Sequence, residues 1–457
     1  MTAYSDSKTF SASGILEQAG GSRMPRKPKR IALLHHIGCG NLGDDAIIDA
    51  VVSNIRRRWD NAEIAVFSMN PADSAKRHGI TSFPIRRYRW DSQLRSAITQ
   101  ATQPDEHGLG SRLRNTRNPA FRVPRAAFGE LAFLVQSYRR LKSFDLLIVS
   151  GGGQLTERGG PWSFPWALLV WSIMAKWAGV RFVLLNVGAG PLNHLLSRFF
   201  VRRALRRAEY VSFRDKQSQD LAGELGFAGR GHVFPDNAYG LEAEAPNLPA
   251  RDTNRPLVGV APMPYPFSDL PKYPSNADAI QYDLIRKMAM FVAFLVRESY
   301  SIDLFGSDIR SDPPAIEDLR AALRNGHQIS TPEYVPLGSV SELLSRMSPM
   351  DYVVTCRFHG VVFAHLLNKP VLAIAHHPKV RHLMSALGLS RYCADMLTFD
   401  PIRLMDTFTS LVRDTEIIKR SMAASLADYR LKLTTQFDDL FRRRLAEHAG
   451  LGKTPAS

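Results

Sequence analysis

The sequence predicts an α/β protein with two Rossmann-like domains, and two observations lead to this prediction. In the first half, near-continuous apolar runs alternate with loops and helix-period segments about five times, as in parallel sheets buried on both faces. After a polar stretch, the same alternation starts again at Leu257–Ala261. Repeated β-loop-α units of this kind form doubly wound sheets, which bind ligands where the strands end. We therefore expect the functional residues at strand ends.

The composition sets broad limits on function. The chain has 457 residues, of which 45% are hydrophobic and 22% charged, and its formal net charge is +16. Such a charge favours phosphorylated substrates, polyanions or an anionic membrane surface. No helix-turn-helix, zinc-finger or RRM-like signature is present, so we expect no nucleic acid partner. Three widely spaced cysteines form neither a disulfide framework nor a zinc motif, which favours a reducing, cytoplasmic setting.

Composition shifts along the chain give the expected domain order. It comprises a disordered tail (1–25), an N-terminal Rossmann-like domain (26–245) with a basic insertion (about 86–128), a linker (246–256), a C-terminal Rossmann-like domain (257–400) and a helical segment (401–450). The tail lacks the features of a signal peptide. The longest apolar stretch, Phe164–Ala175, is too short to span a bilayer and is predicted to be a buried helix. We expect a soluble protein or one peripheral at the inner face of the membrane.

The basic insertion at about 86–128 has weak periodicity and many Arg, Pro and Gly residues. A long loop in a compact domain is usually functional or disordered. A solvated mobile segment is the first interpretation. A lid over the site and a basic patch that meets anionic lipid headgroups are the alternatives.

The first predicted strand, Arg30–Ile37, runs into a glycine-rich loop and a helix. The letters Gly38-x-Gly40-x-x-Gly43 match a dinucleotide-binding fingerprint. Carboxylates at Asp44 and Asp45 would repel a phosphate in the first helical turn, so we prefer an uncharged, hydroxyl-rich ligand. Asn41 and Asp44 then contact sugar hydroxyls, with Gly43 admitting the ligand. A tight turn with an N-capping aspartate is the alternative.

Further candidate residues follow later strands of the first half. Gly151, Gly152 and Gly153 come directly after a buried strand, where glycines let a ligand approach the backbone. Arg214 ends a short strand, and Asp236 follows another. We expect all of them at the same edge of the sheet.

In the second half, the strand Tyr352–Cys356 ends in Arg357-Phe358-His359-Gly360. A second strand, Pro370–Ala375, runs into a loop that contains Lys379. Two cations and a histidine at neighbouring strand ends indicate an anion site with a proton-transfer residue. A basic surface loop is the alternative.

The segment Thr415–Glu447 carries apolar residues at helical spacing and is predicted to be a long amphipathic helix. We expect it to pack across both domains. A contact in a homodimer is the alternative.

Several of these motifs occur in an order that resembles the polysaccharide pyruvyl transferase family. The resemblance runs from about residue 30 to about 395. Its motifs are Gly40-Asn41-Leu42-Gly43-Asp44-Asp45, Gly151-Gly152-Gly153, Arg214-Asp215-x-x-Ser218-x-x-Leu221, Asp236, Arg357-x-His359-Gly360 and the segment from Pro370 to Lys379. One position differs from the family pattern, because His376 stands where a tyrosine is common.

The resemblance implies two Rossmann-type domains that face each other across a cleft, as in GT-B glycosyltransferases. It implies transfer of the pyruvyl group of phosphoenolpyruvate to two hydroxyls of one sugar, with no cofactor and no essential metal. Arg214, Arg357 and His359 become donor-site and catalytic positions, with Lys379 as an added charge. The first domain holds the acceptor, a sugar or lipid-linked oligosaccharide of exopolysaccharide synthesis. A GT-B glycosyltransferase that uses a nucleotide sugar and a non-catalytic scaffold of polysaccharide assembly are the alternatives.

Overall fold

The protein is described by a computed structural model over residues 29–38, 40–87, 119–227, 231–242, 255–265, 275–331 and 333–444, without the side chains of 119–127 and 442–444. The predicted tail at 1–25 lies outside these residues. So do most of the predicted linker at 246–256 and residues 88–118 of the predicted insertion.

In the described part of the first half, seven parallel strands form one sheet in the order β3-β2-β1-β4-β5-β6-β7. The strands are β1 (Arg30–Leu34), β2 (Glu63–Ser68), β3 (Thr81–Pro84), β4 (Leu146–Ser150), β5 (Arg181–Val187), β6 (Tyr210–Phe213) and β7 (His232–Val233). The central strands β1 and β4 are almost fully buried, because helices cover both faces of the sheet. This layout explains why their sequences read as unbroken apolar runs.

The helices of the first half divide between the two faces of this sheet. They are α1 (Leu42–Arg58), α2 (Pro71–His78), α3 (Pro119–Leu141), α4 (Phe164–Ala178), α5 (Leu195–Leu205) and α6 (Lys216–Glu224). Helices α3, α4 and α5 share one core cluster, and α1 belongs to the other. Helix α3 begins within the segment that we predicted to be a basic insertion.

The second half forms a five-stranded parallel sheet in the described residues, in the order β12-β11-β10-β8-β9. Its strands are β8 (Leu257–Ala261), β9 (Ser301–Leu304), β10 (Tyr352–Thr355), β11 (Val371–Ala375) and β12 (Cys393–Asp395). Its helices are α7 (Ala277–Arg297), α8 (Asp312–His327), α9 (Val340–Met347), α10 (Phe358–Leu366), α11 (Pro378–Ala386) and α12 (Pro401–Arg413). The prediction of two Rossmann-like units is confirmed.

Helix α10 starts three residues earlier than the sequence pattern suggested. We predicted a loop over Arg357–Gly360 followed by a helix from Val361. Instead, Arg357 has extended backbone angles and Phe358 is the first helical residue. Gly360 makes this early start possible, since a Cβ at that position would lie 3.0 Å from Cβ of Thr355. His359 therefore lies in the first turn of a helix.

Direct backbone contacts join the two halves. The amide of Leu42 donates to the carbonyl of Ser307 at 2.9 Å, and the amide of Ile309 donates to the carbonyl of Gly40 at 2.9 Å. An isolated antiparallel bridge pairs Asn41 with Asp308. The glycine-rich loop after β1 is thus held against the loop after β9.

The long C-terminal helix α13 (Thr415–Asp438) also packs against both halves, as predicted. Near its start, the Met422 carbonyl lies 2.8 Å from Nε2 of His365 in α10. Near its end, the buried Gln436 side chain enters the first domain. There its Nε2 donates to Asn186 at 2.8 Å and to Ser212 at 2.9 Å. A helix that begins in one domain and ends in the core of the other restricts their relative movement.

We predict that Gln436→Leu lowers the free energy of unfolding by about 2 kcal/mol, because Asn186 and Ser212 lose a buried hydrogen-bond partner. Gln136→Leu is the matched control, since Gln136 is exposed on α3 and its change should stay within about 0.5 kcal/mol. Denaturant unfolding of the three proteins measures the difference. Equal stability of the two variants would contradict the proposed role of α13.

Candidate active site

His359 is the second residue of α10 and lies at the junction of the two domains. Its side chain is buried, and its Nε2 has no hydrogen-bond partner among the described residues. A buried imidazole with a vacant nitrogen is poised to bind a ligand or exchange a proton.

Gly43 of the first domain packs directly on this ring. A Cβ added to Gly43 would lie 2.5 Å from Cβ of His359 and would overlap the ring. Asn41 fixes the helix start there, because its Oδ1 accepts a hydrogen bond from the Gly43 amide at 2.9 Å. The N-cap of α1 is thus Asn41, and the alternative with a capping aspartate is wrong.

Four charged side chains act on His359. Burial has the largest effect and lowers the pKa of His359. The Asp236 and Asp44 carboxylates oppose this shift in pKa, and Arg214 and Lys379 reinforce it. The imidazole is therefore neutral at neutral pH and able to accept a proton.

The pKa of Asp44 moves in the other direction. Burial raises the pKa of Asp44, and the Asp45 carboxylate adds to that rise, whereas a protonated His359, Lys379 and Arg214 oppose it. The site therefore holds a carboxyl whose pKa is raised and an imidazole whose pKa is lowered, both through burial.

Glycines after β4 leave room for this group. Gly151 and Gly152 have positive φ angles of 61° and 67°, which few other residues tolerate. A Cβ on Gly152 would lie 2.9 Å from Nε2 of His35 and 3.3 Å from Oδ1 of Asp44. Gly153 is exposed and has open space beside it. The loop therefore lines the first-domain side of the site with backbone atoms.

Arg214 reaches the site from the end of β6. Its guanidinium lies 4.7 Å above the ring of Phe358, and its Nη1 lies 3.4 Å from Oδ2 of the buried Asp236. Gly188 makes room for it, since a Cβ there would lie 2.5 Å from the Arg214 Nε. The cation is thereby placed beside the first turn of α10.

Arg357 lies in a different environment from the other predicted site residues. Its Nε donates to Oδ1 of Asp312 at 3.0 Å, and its Nη2 contacts the same oxygen and lies 3.8 Å from Asp308. Asp312 is fully buried, and two backbone amides also donate to it. The structure thus uses Arg357 to hold the loop that contacts Asn41.

Lys379 is the second residue of α11, close enough to influence both His359 and Asp44. The preceding His377 caps this helix, its Nδ1 accepting from the Lys379 amide at 3.2 Å. His376 turns inward, with Nδ1 2.7 Å from the Cys356 carbonyl, and burial lowers its pKa to about 3.

His35 and His36, near the end of the apolar run that begins with β1, were not predicted as site residues. His35 is buried with neither ring nitrogen hydrogen-bonded among the described residues, and burial lowers its pKa to about 3. The His36 ring stacks on Phe164 with centroids 3.6 Å apart. Two polar residues at the carboxyl end of a central strand were the available signal.

The chain matches the sequence profile described as polysaccharide pyruvyl transferase over residues 41–378. It belongs to this family. Every predicted site residue of this pyruvyl transferase family member lies in the matched range except Lys379, which follows it directly. No curated protein matches the chain.

Solved structures with the same architecture share little sequence with this family member. A putative UDP-N-acetylglucosamine 2-epimerase from Listeria monocytogenes has a TM-score of 0.57 at 11% identity, covering 91% of this chain and 97% of its own. The S. aureus MnaA–UDP complex has a TM-score of 0.53 at 12% identity, covering 94% and 99%. A glycosyltransferase from Rickettsia africae also has a TM-score of 0.53, at 10% identity and 91% and 99% coverage. These similarities establish a GT-B-like fold.

Among the described helices, none is long and apolar enough to cross a membrane.

We predict that Gly43→Ala destabilises the pyruvyl transferase by about 1–3 kcal/mol, because the new methyl group overlaps His359. In a His359→Ala background the same change should cost almost nothing, since the ring is gone and alanine suits a helix. A double-mutant cycle by denaturant unfolding measures this coupling. Additive effects would show that the two residues do not touch.

A second prediction concerns His78, which contacts Asp45, the neighbour of Asp44. His78 is ion-paired with Asp45 at 3.5 Å and with Asp49 at 2.7 Å. Burial lowers the pKa of His78, but hydrogen bonds to both carboxylates outweigh it and raise the pKa from 6.5 to about 9. The stabilisation is then fully present below pH 6.5 and is lost as the pH rises through about 9, by roughly 3 kcal/mol at most.

The His78→Gln variant should lack this loss of stability between pH 6.5 and about 9. The exposed His327→Gln serves as the matched control and should follow the wild type. Unfolding midpoints across this range provide the measurement. Parallel curves for wild type and His78→Gln would refute the ion-paired state.

Proposed function

We propose that this protein transfers the pyruvyl group of phosphoenolpyruvate to two hydroxyls of one sugar in an exopolysaccharide or its precursor. The first hydroxyl oxygen attacks the enol carbon, and a proton adds to the methylene carbon to make a methyl group. The second hydroxyl oxygen then displaces phosphate from the same carbon, which gives a cyclic ketal. Its proton passes to the Asp44 carboxylate left by the first step, and His359 gives its proton to the departing phosphate. The observation that carries this proposal is the buried Nε2 of His359 in a chain of this family. It has no hydrogen-bond partner in the described part of the chain, and Arg214, Lys379 and Asp44 act on its ring.

The helix ends favour a donor on the second domain. The first turns of α10 and α11 contain no acidic residue, and Lys379 lies in the first turn of α11. A helix N-terminus attracts anions, so the carboxylate and phosphate of phosphoenolpyruvate suit this side. Arg214 adds a guanidinium next to α10.

Arg357 remains our candidate for a second donor contact. Asp312 and Asp308 engage its Nε and Nη2, while Nη1 has no hydrogen-bond partner among the described residues. In this proposal Nη1 contacts the donor, and the two aspartates keep the guanidinium in a fixed orientation.

The first domain suits an uncharged acceptor. Helix α1 has Asp44 and Asp45 in its first turn, and the Asp45 carboxylate offsets part of the positive helix end. Asp44, Asn41, the Gly151–Gly153 loop and the vacant nitrogens of His35 offer hydrogen-bonding groups to sugar hydroxyls. The ion pair with Asp236 orients the Arg214 guanidinium. Positioning two hydroxyls on one carbon is mainly a proximity task.

We assign the proton transfers from the two pKa shifts. His359, with its lowered pKa, takes the proton of the attacking hydroxyl. Asp44, with its raised pKa, supplies the proton to the methylene carbon. No cofactor or metal enters this scheme.

We place the reaction in the cytoplasm. Within the described part of the chain, Cys356 and Cys393 are free thiols, which suits a reducing compartment.

The second candidate function is transfer of a sugar from a nucleotide donor, because the structures with the same fold include a UDP complex and a glycosyltransferase.

We predict that His359→Ala lowers phosphoenolpyruvate-dependent phosphate release by at least about 100-fold, with kcat affected more than KM. The assay offers phosphoenolpyruvate with a panel of nucleotide-linked and lipid-linked sugars, and a parallel series follows nucleoside diphosphate release. His327→Ala is the control, since His327 is exposed at the end of α8 and should keep full activity.

Two results would oppose the proposal. Full activity of His359→Ala would remove the assigned base. Nucleoside diphosphate release without any phosphate from phosphoenolpyruvate would favour the glycosyltransferase instead.

A further inference from the structure

An apolar face lies on the outer side of α4 and α5. Its members, here named the aromatic face, are Trp162, Trp166, Leu195, Leu196 and Phe199. Trp162 is 61% exposed, Leu195 80% and Phe199 50%. The Trp162 and Trp166 rings lie 5.3 Å apart, and both contact the buried Phe200 beneath them. Large exposed apolar groups gathered in one place mark an interaction surface.

The surroundings of the aromatic face are mainly basic, and the carboxylate of Glu157, at the start of α5, accepts hydrogen bonds from the Asn193 and His194 amides. Helices α4 and α5 contain no acidic residue, and α3 contains only Glu130. The basic residues on and just after α5 are Arg198, Arg202, Arg203, Arg206 and Arg207. The Arg203 guanidinium lies 5.6 Å from the Phe199 ring, so charge and apolar surface are interleaved. The partner of this surface is therefore expected to be anionic with an apolar interior.

The aromatic face borders the candidate active site. The loop that leaves the site at Gly153 ends at Trp162, whose carbonyl accepts a hydrogen bond from Arg86 at 3.1 Å. Phe164, between the two tryptophans, stacks on His36. His36 adjoins His35, which lies against Gly152 in the site. A partner on this face would thus lie next to the acceptor side.

A second copy of this chain fits the surface poorly. A two-fold contact places the same patch on both partners, so Arg202 and Arg203 of each copy would meet like charges, with no carboxylates on α4 or α5 to neutralise them. Trp, Phe and Leu side chains among arginines are instead typical of surfaces that insert shallowly into anionic lipid.

We propose that the aromatic face docks onto an anionic lipid bilayer, with Leu195 and Phe199 entering the interface and the arginines of α5 contacting lipid phosphates. The acceptor side of the cleft then lies at the membrane surface. Resting on the proposed function, this arrangement indicates that the acceptor sugar is carried on a membrane lipid.

Vesicle flotation of the full-length protein tests the docking. The probes are vesicles of phosphatidylcholine alone and vesicles that also contain phosphatidylglycerol. Wild type should bind the anionic vesicles and lose binding at high salt. Leu195→Gln/Phe199→Gln should weaken binding by at least about tenfold through lost apolar insertion. Arg202→Gln/Arg203→Gln should weaken it by roughly tenfold through lost charge.

Ile417→Gln/Leu431→Gln is the matched control. These residues are 65% and 66% exposed on α13, away from the aromatic face, and their variant should bind vesicles like wild type. Thermal unfolding of each variant verifies the fold, and phosphate release with a soluble acceptor should not change.

Three outcomes would overturn the proposal. The first is that Leu195→Gln/Phe199→Gln binds vesicles as tightly as wild type. The second is that wild type shows no preference for vesicles containing phosphatidylglycerol. The third is that wild type binds no vesicles but forms a dimer, which Leu195→Gln/Phe199→Gln converts to a monomer. The last outcome would assign the face to a second copy. Flotation needs no phosphoenolpyruvate, so its failure is separate from failure of the proposed reaction.

Discussion

The contact between the Gly43 backbone and the His359 ring is the constraint on which the site depends. It joins the first turn of α1 in one domain to the first turn of α10 in the other. Only glycine leaves space for the imidazole, and the Asn41 cap holds that glycine in position. Because the glycine-rich loop is also hydrogen-bonded to the loop after β9, the domain orientation and the place of His359 are determined together.

At this contact the N-termini of α1 and α10, which have the same electrostatic sign, lie close together. Acidic residues in the first turn of α1 cancel much of its positive end, whereas α10 and α11 keep theirs. The cleft is therefore electrostatically asymmetric between its two halves. The proposed reaction between an anionic donor and a neutral sugar would use this asymmetry. Burial between the halves lowers the pKa of His359 and raises that of Asp44.

Much of the fold was predictable because buried parallel strands leave long apolar runs in the sequence. The short edge strands β3 and β12 were missed, since they are partly exposed and carry polar residues. The candidate site residues were predictable as a group, because parallel strands bring their ends together. The pairing of Arg357 with Asp312 was not, as 45 residues separate them and no spacing rule links the end of β10 to the start of α8. His35 was hidden because it continues an apolar strand.

The net charge of +16 can now be assigned to particular places. Part of the basic charge is neutralised inside the structure, where Arg58 pairs with Asp438 and Arg346 with Asp303. At the cleft, Arg214 and Lys379 act on His359 and lower its pKa. Neither role accounts for the arginines along α5, which lie beside exposed aromatic rings on helices that lack carboxylates. A small soluble donor gives no reason for that arrangement, whereas an extended anionic surface with an apolar interior does. In the two proposals made above, the same excess charge serves two anions of different size, a small donor in the cleft and a lipid surface against the first domain.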